Sequence, residues 1–171
     1  MINPVPLAFM LLCSTSLAST AFASTSELSA ATVNDSSPTL MVDSLVTLQS
    51  QYSPKATADR FESIIKDKGF TVFARIDHQK NAEAVELSLP ATEVIIFGNP
   101  KIGTQLMQCN QQVAIDLPQK VLITEDANNK VWLSFNNPQY LKQRHDIKGC
   151  DAVLNKIANV LNTLAKAATT K

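Results

Sequence analysis

Along the segment Phe70-Thr71-Val72-Phe73-Ala74-Arg75-Ile76-Asp77 apolar and polar positions alternate, with Phe70, Val72, Ala74 and Ile76 on one side and Thr71, Phe73, Arg75 and Asp77 on the other. A period of two is that of a strand with one face on a core, and this is the clearest strand in the chain. Glu93-Val94-Ile95-Ile96-Phe97 is a continuous apolar run instead, which predicts a strand buried on both faces or central in its sheet. Leu45 to Leu48 predicts an earlier strand. Lys120 to Glu125 and Lys130 to Phe135, joined through Asn128-Asn129, predict an antiparallel hairpin.

Other stretches follow the helical period. Ser53-Pro54 supplies a cap and a first-turn proline for a helix that runs to Lys68 and stops at Gly69, with Ala58, Phe61, Ile64 and Ile65 turned to the core. Gln79 to Leu87 predicts a short helix with Ala82 and Val85 inward, joined by Leu89 and ended by Pro90. Lys101 to Asn110 follows with Leu106 and Met107 inward, and Asn137-Pro138 opens another short helix through Tyr140, Leu141 and Arg144. From Asp151 to Ala168, Val153, Leu154, Ile157, Leu161 and Leu164 share a face opposite Asn155, Lys156, Asn159 and Lys166, which predicts a long amphipathic helix across the sheet. Strands and helices in irregular alternation, with a hairpin and no internal repeat, predict an α+β two-layer domain.

Composition narrows the possible partners. The 171 residues carry 15 Lys+Arg against 15 Asp+Glu, with a pI near 6.7, and no basic cluster marks a nucleic-acid partner. The first 23 residues carry no charged side chain, hold an apolar run from Val5 to Cys13, and end in Ala21-Phe22-Ala23. We read a signal peptide over 1–23, cut after Ala23, which predicts a periplasmic or secreted protein with no stable membrane insertion after cleavage. An uncleaved anchor needs a longer apolar run, and lipidation at Cys13 needs a small residue where Leu12 stands. Residues 24–43 form a flexible Ser/Thr-rich leader, and 44–168 the folded domain. Removing Cys13 leaves Cys109 and Cys150, which an oxidising compartment favours as a disulfide; two buried free thiols are the alternative.

Candidate chemistry falls in two places. His78 follows Asp77 at a strand end, and His145 follows Arg144 at a helix end. Two histidines with Asp77 or Asp146 can bind a metal or act as an acid/base pair, whereas the structural alternative is that they shape turns and helix ends. In Phe97-Gly98-Asn99-Pro100-Lys101-Ile102-Gly103-Thr104 a strand runs into a helix N-terminus, a geometry that offers backbone N–H groups to an anion beside Lys101 and Thr104. Its alternative is a tight turn whose glycines serve the backbone. No nucleophile elbow, HExxH motif, Cys/His zinc cluster or paired-carboxylate pattern is present, and no cofactor is indicated.

Together, Gly69 to Phe73 with Ile76-Asp77-His78, Phe97 to Lys101 with Gly103-Thr104 and Leu106-Met107, Ala114 to Pro118 with Lys120, Val131-Trp132-Leu133, and Asn137-Pro138 with Tyr140-Leu141 and Arg144-His145 resemble the DUF302 family. The resemblance covers about Leu45 to Leu164. It implies a TT1751-like α+β fold, helices on one face of an antiparallel sheet, and a homodimer; it supplies no activity. It also places Asp77, His78, Asn99, Lys101, Asp116, Arg144 and His145 in matched segments, whereas Phe135 stands where many relatives carry Tyr and the two cysteines fall outside the pattern. The expected function is binding of a small polar or anionic ligand by Asp77, His78, Asn99, Lys101, Thr104, Arg144 and His145. The alternatives are an enzyme with His78 or His145 as acid/base, with or without a metal or haem, and a structural module that dimerises through Phe73.

Overall fold

The computed structural model describes residues 42–171, so the expected signal peptide and nearly all of the leader lie outside the described residues. Strands β1 (Leu45–Ser50), β2 (Thr71–Asp77), β3 (Thr92–Gly98), β4 (Gln119–Glu125) and β5 (Val131–Asn136) form one antiparallel sheet in the order β1-β5-β4-β3-β2. Helices α1 (Pro54–Asp67), α2 (His78–Glu83), α3 (Pro100–Cys109), α4 (Pro138–Arg144) and α5 (Asp151–Thr169) connect and follow them. A 3₁₀ helix, Gln111–Asp116, lies between α3 and β4. The α+β two-layer architecture is the one the alternation predicted.

Local chemistry sets the main helix. The Ser53 hydroxyl accepts the Ala56 N–H, Pro54 takes the first turn, and Gly69 leaves the helix at a φ of 74°, a conformation that glycine adopts without a Cβ penalty. Phe61 and Ile65 of α1 and Leu154, Leu161 and Leu164 of α5 then bury one sheet face, against Ile95, Phe97, Val121, Ile123, Leu133 and Phe135. Each such side chain contributes about 1.5–3 kcal/mol by leaving water. Arg60 of α1 fastens the two helices by donating to the carbonyls of Ala167 and Ala168, which have no partner within the last turn of α5.

One expectation is narrowed and two are corrected. The β3 run lies inside the sheet, between β4 and β2, but is enclosed on one face only: Ile95 and Phe97 are buried, while Val94 and Ile96 on the other face are half-buried. The inward set of β2 changes sides because the register shifts between Val72 and Ala74. Val72 pairs with Phe97, yet beyond the bulge Arg75 pairs with Ile95 and Asp77 with Glu93, so Arg75 and Asp77 share the helix face and Ala74 and Ile76 do not. The predicted helix Gln79–Leu87 starts at His78 and ends at Glu83. Glu86 takes a φ of 61°, and the Leu87 and Glu86 N–H groups close onto the carbonyls of Ala82 and Glu83, turning Val85 and Leu87 to solvent.

The bulge gives Arg75 its role. It donates to Asp59 at 2.8 Å and Glu62 at 2.9 Å on α1, and also to Glu93 on β3, tying the edge strand to the helix above it. Lys55 first and Arg75 second hold the Asp59 carboxyl below its usual range; Lys66 and then Arg75 do the same for Glu62. A disulfide joins Cys109, at the end of α3, to Cys150, at the start of α5, across 41 residues with a Cα–Cα distance of 6.5 Å.

Two outcomes follow. Replacing both cysteines with serine should lower the unfolding free energy in urea by about 4 kcal/mol, the chain-entropy value for a loop of this length. Lowered carboxyl values contribute stability that is present above the ordinary range and is lost as pH falls through the depressed values, below roughly pH 4. Urea titrations at pH 6 and pH 3 should therefore show a smaller acid loss in Arg75→Met than in the parent.

Candidate functional site

Where β3 runs out of the sheet, a cavity of about 270 Å³ opens between the ends of β2 and β3, the flank of α3, the turn into β4, and α5. Its aromatic lining is Phe70, Phe73 and Phe97, and aliphatic groups from α3 and α5 complete it, among them Ile102, Met107, Ile157 and Val160. Phe97 is fixed edge-on by Phe61 at 5.1 Å and Phe70 at 5.9 Å between ring centres, so this wall is rigid. Gly98 sits between Phe73 and Pro118: a Cβ there would make ordinary contact with the Phe73 ring and with Pro118, each at 3.5 Å. The Leu117–Pro118 bond is cis, and both residues face the cavity.

The turn after Phe97 is closed to anions at its backbone. Asn99 caps α3: its Oδ1 accepts the Lys101 N–H at 3.0 Å, and its carbonyl accepts the N–H groups of Ile102 and Gly103. Pro100 has no N–H to offer. Asn99 and Thr104 line the cavity, but Lys101 is exposed and does not. Lys156 of α5 contributes at the cavity wall, a residue whose placement on the polar face of a predicted helix gave no functional signal.

The remaining candidates form two separate groups. Asp77 and His78 stand at the far end of β2 from the cavity, because Thr71 pairs with Gly98 and Asp77 with Glu93; seven residues of strand separate them by roughly 20 Å. Asp77 caps α2, and its hydrogen bond from the Lys80 N–H holds its carboxyl below the usual range. His78 is exposed. Arg144 and His145 do meet, on Asp116: His145 Nε2 lies 2.5 Å from Asp116 Oδ2, and Arg144 Nη1 donates to Asp116 Oδ1 at 3.3 Å.

Asp116 and His145 are both buried, and the His145 carbonyl accepts from the Asn110 amide at 2.7 Å. Lys120 Nζ donates to the carbonyls of Asp116 and Pro118, holding the turn whose neighbouring residues, Ala114, Leu117 and Pro118, line the cavity. The pair thus stands behind the cavity wall, and neither His145 nor Asp116 reaches its surface. Among the described residues no three His, Cys, Asp or Glu side chains converge as a metal site, and no helix is long and apolar enough to cross a membrane.

The family model for the domain of unknown function DUF302 matches residues 46–164. The chain is 41% identical over 130 residues to the fluoride-specific ion channel FluC 1 of Brucella suis, a match that covers 75% of this chain and 51% of that protein. FluC 1 of Brucella abortus matches at the same identity, with 48% of its length covered. The chain therefore spans about half the length of these curated relatives. The crystal structure of an uncharacterized conserved DUF302 protein from Bacillus stearothermophilus has the same fold, with a TM-score of 0.68 at 16% identity, covering 74% of this chain and 99% of that one.

Truncating His145 to alanine leaves the Asp116 carboxylate without its closest partner in a buried place. The expected loss is about 2 kcal/mol in chemical denaturation, the scale of a hydrogen bond to a charged group. An unchanged midpoint would show that the pair carries no structural load.

Proposed function

The chain belongs to the DUF302 family, and we propose that it is a small-ligand-binding domain whose ligand sits in the cavity at the end of β3. One observation carries this reading: a concave, predominantly apolar space, fixed by packed aromatic rings and edged by a few polar side chains, is the usual form of a small-molecule site. The ligand has an apolar body and a polar or anionic end, the end among the few polar lining groups, Asn99, Thr104, Gln119 and Lys156. The disulfide supports a periplasmic or extracellular place of work, where such bridges persist.

Binding is favoured over acid/base catalysis because the buried histidine is engaged with Asp116 behind the cavity wall and His78 is far along β2. The relatives' name raises fluoride as a ligand for the domain. A bare halide is costly to strip of water unless charged groups or N–H donors replace it, and the apolar lining with a self-satisfied helix turn supplies few.

Nuclear magnetic resonance on the full chain checks the reading. Octanol should shift the amide signals of Phe97, Gly103 and Val160, whereas fluoride at millimolar concentration should leave them in place. Val160→Trp, which fills the cavity from α5, should abolish the octanol shifts while the remaining spectrum stays folded. Octanol shifts that survive in Val160→Trp would place binding elsewhere.

A further inference from the structure

Among the residues that line the cavity there is one formal charge, Lys156, and no Asp or Glu. Lys156 also pairs with no carboxylate among the described residues, and its side chain is exposed while the next residue, Ile157, is buried. A lysine in that position lays its methylene stem along the apolar wall and keeps its ammonium in water at the mouth. The Asn99 amide nitrogen remains available as a donor, because only its oxygen is used in capping α3, and the Thr104 hydroxyl lines the same space.

Resting on the small-ligand reading, we infer that the ligand is an amphipathic monocarboxylate, its apolar body against Phe70 and Phe97 and its carboxylate at the mouth on Lys156. A single cation over an otherwise neutral, apolar lining discriminates by charge: a carboxylate gains an ion pair, a neutral alcohol gains nothing, and an ammonium is repelled. The cavity, about 270 Å³, lies at the small end of ligand pockets, which suits a short apolar body such as a medium-length alkyl chain or one phenyl ring.

The probes are octanoate, octanol and octylamine, titrated by nuclear magnetic resonance against the full chain. Octanoate should bind more tightly than octanol, and octylamine most weakly. Lys156→Gln should weaken octanoate roughly fivefold, the range of an exposed ion pair, and leave octanol within about twofold. Lys156→Arg should keep octanoate near its parent affinity, and Lys156→Glu should favour octylamine. Equal octanoate affinity in the parent and Lys156→Gln, or octylamine binding as well as octanoate, overturns the inference while octanol binding leaves the small-ligand reading intact. If no probe shifts the lining residues, both fall. Both also fall if the lining signals move with protein concentration instead, since the exposed Phe73 at the mouth would then be covered by a second copy of the chain.

Discussion

The shape of the cavity depends on how α3 is held. The helix leaves β3 at Gly98 and packs beside α5 and the 3₁₀ helix, so its flank forms one wall of the space over the strand ends. Apolar surface facing apolar surface across a gap tends to close. Ties at the far end fix where α3 lies: the Cys109–Cys150 bridge to α5, the Asn110 amide on the His145 carbonyl, and Asp116 held by His145 and Arg144. The buried Asp116–His145 pair and its neighbours thus hold the wall of a cavity lined mainly by apolar groups.

A second constraint fixes the near wall. The bulge in β2 lets Val72 join the core beside Phe97 and leaves Phe73 at the mouth of the cavity, and it then delivers Arg75 to the helix side three residues on. There the guanidinium meets Asp59 and Glu62 from α1 and Glu93 from β3. An edge strand with a bulge and an inward-facing charge is also poorly suited to pairing with another sheet. One extra residue thus sets the cavity mouth and guards the edge.

Much of the fold was legible in the sequence because periods of two and of 3.6 are local. The capped start at Ser53-Pro54, the stop at Gly69, the hairpin through Asn128-Asn129 and the inward face of α5 needed no tertiary information. The bulge did, since the run Val72-Phe73-Ala74 interrupts the alternation without saying that the register shifts there, and so did the end of α2, where Glu86 occupies a left-handed position usually taken by glycine. The site was less legible still. The turn at Asn99-Pro100 could be read as a β-to-α junction, but the cavity beside it draws on segments near 70, 97, 107, 117 and 157, which only the fold brings together. The Asp116–His145 pair is likewise 29 residues apart, and Lys156 looked like any solvated helix-face lysine.

The curated relatives carry a matching segment as about half of a longer chain, while the Bacillus stearothermophilus structure is nearly all domain. The most direct measurement is an isotope-filtered nuclear Overhauser experiment on labelled protein with octanoate. The terminal methyl of octanoate should show contacts to the rings of Phe70 and Phe97 and to the Val160 methyls. Contacts confined to the opposite sheet face, at Val94, Leu122 or Trp132, would contradict a cavity-bound ligand.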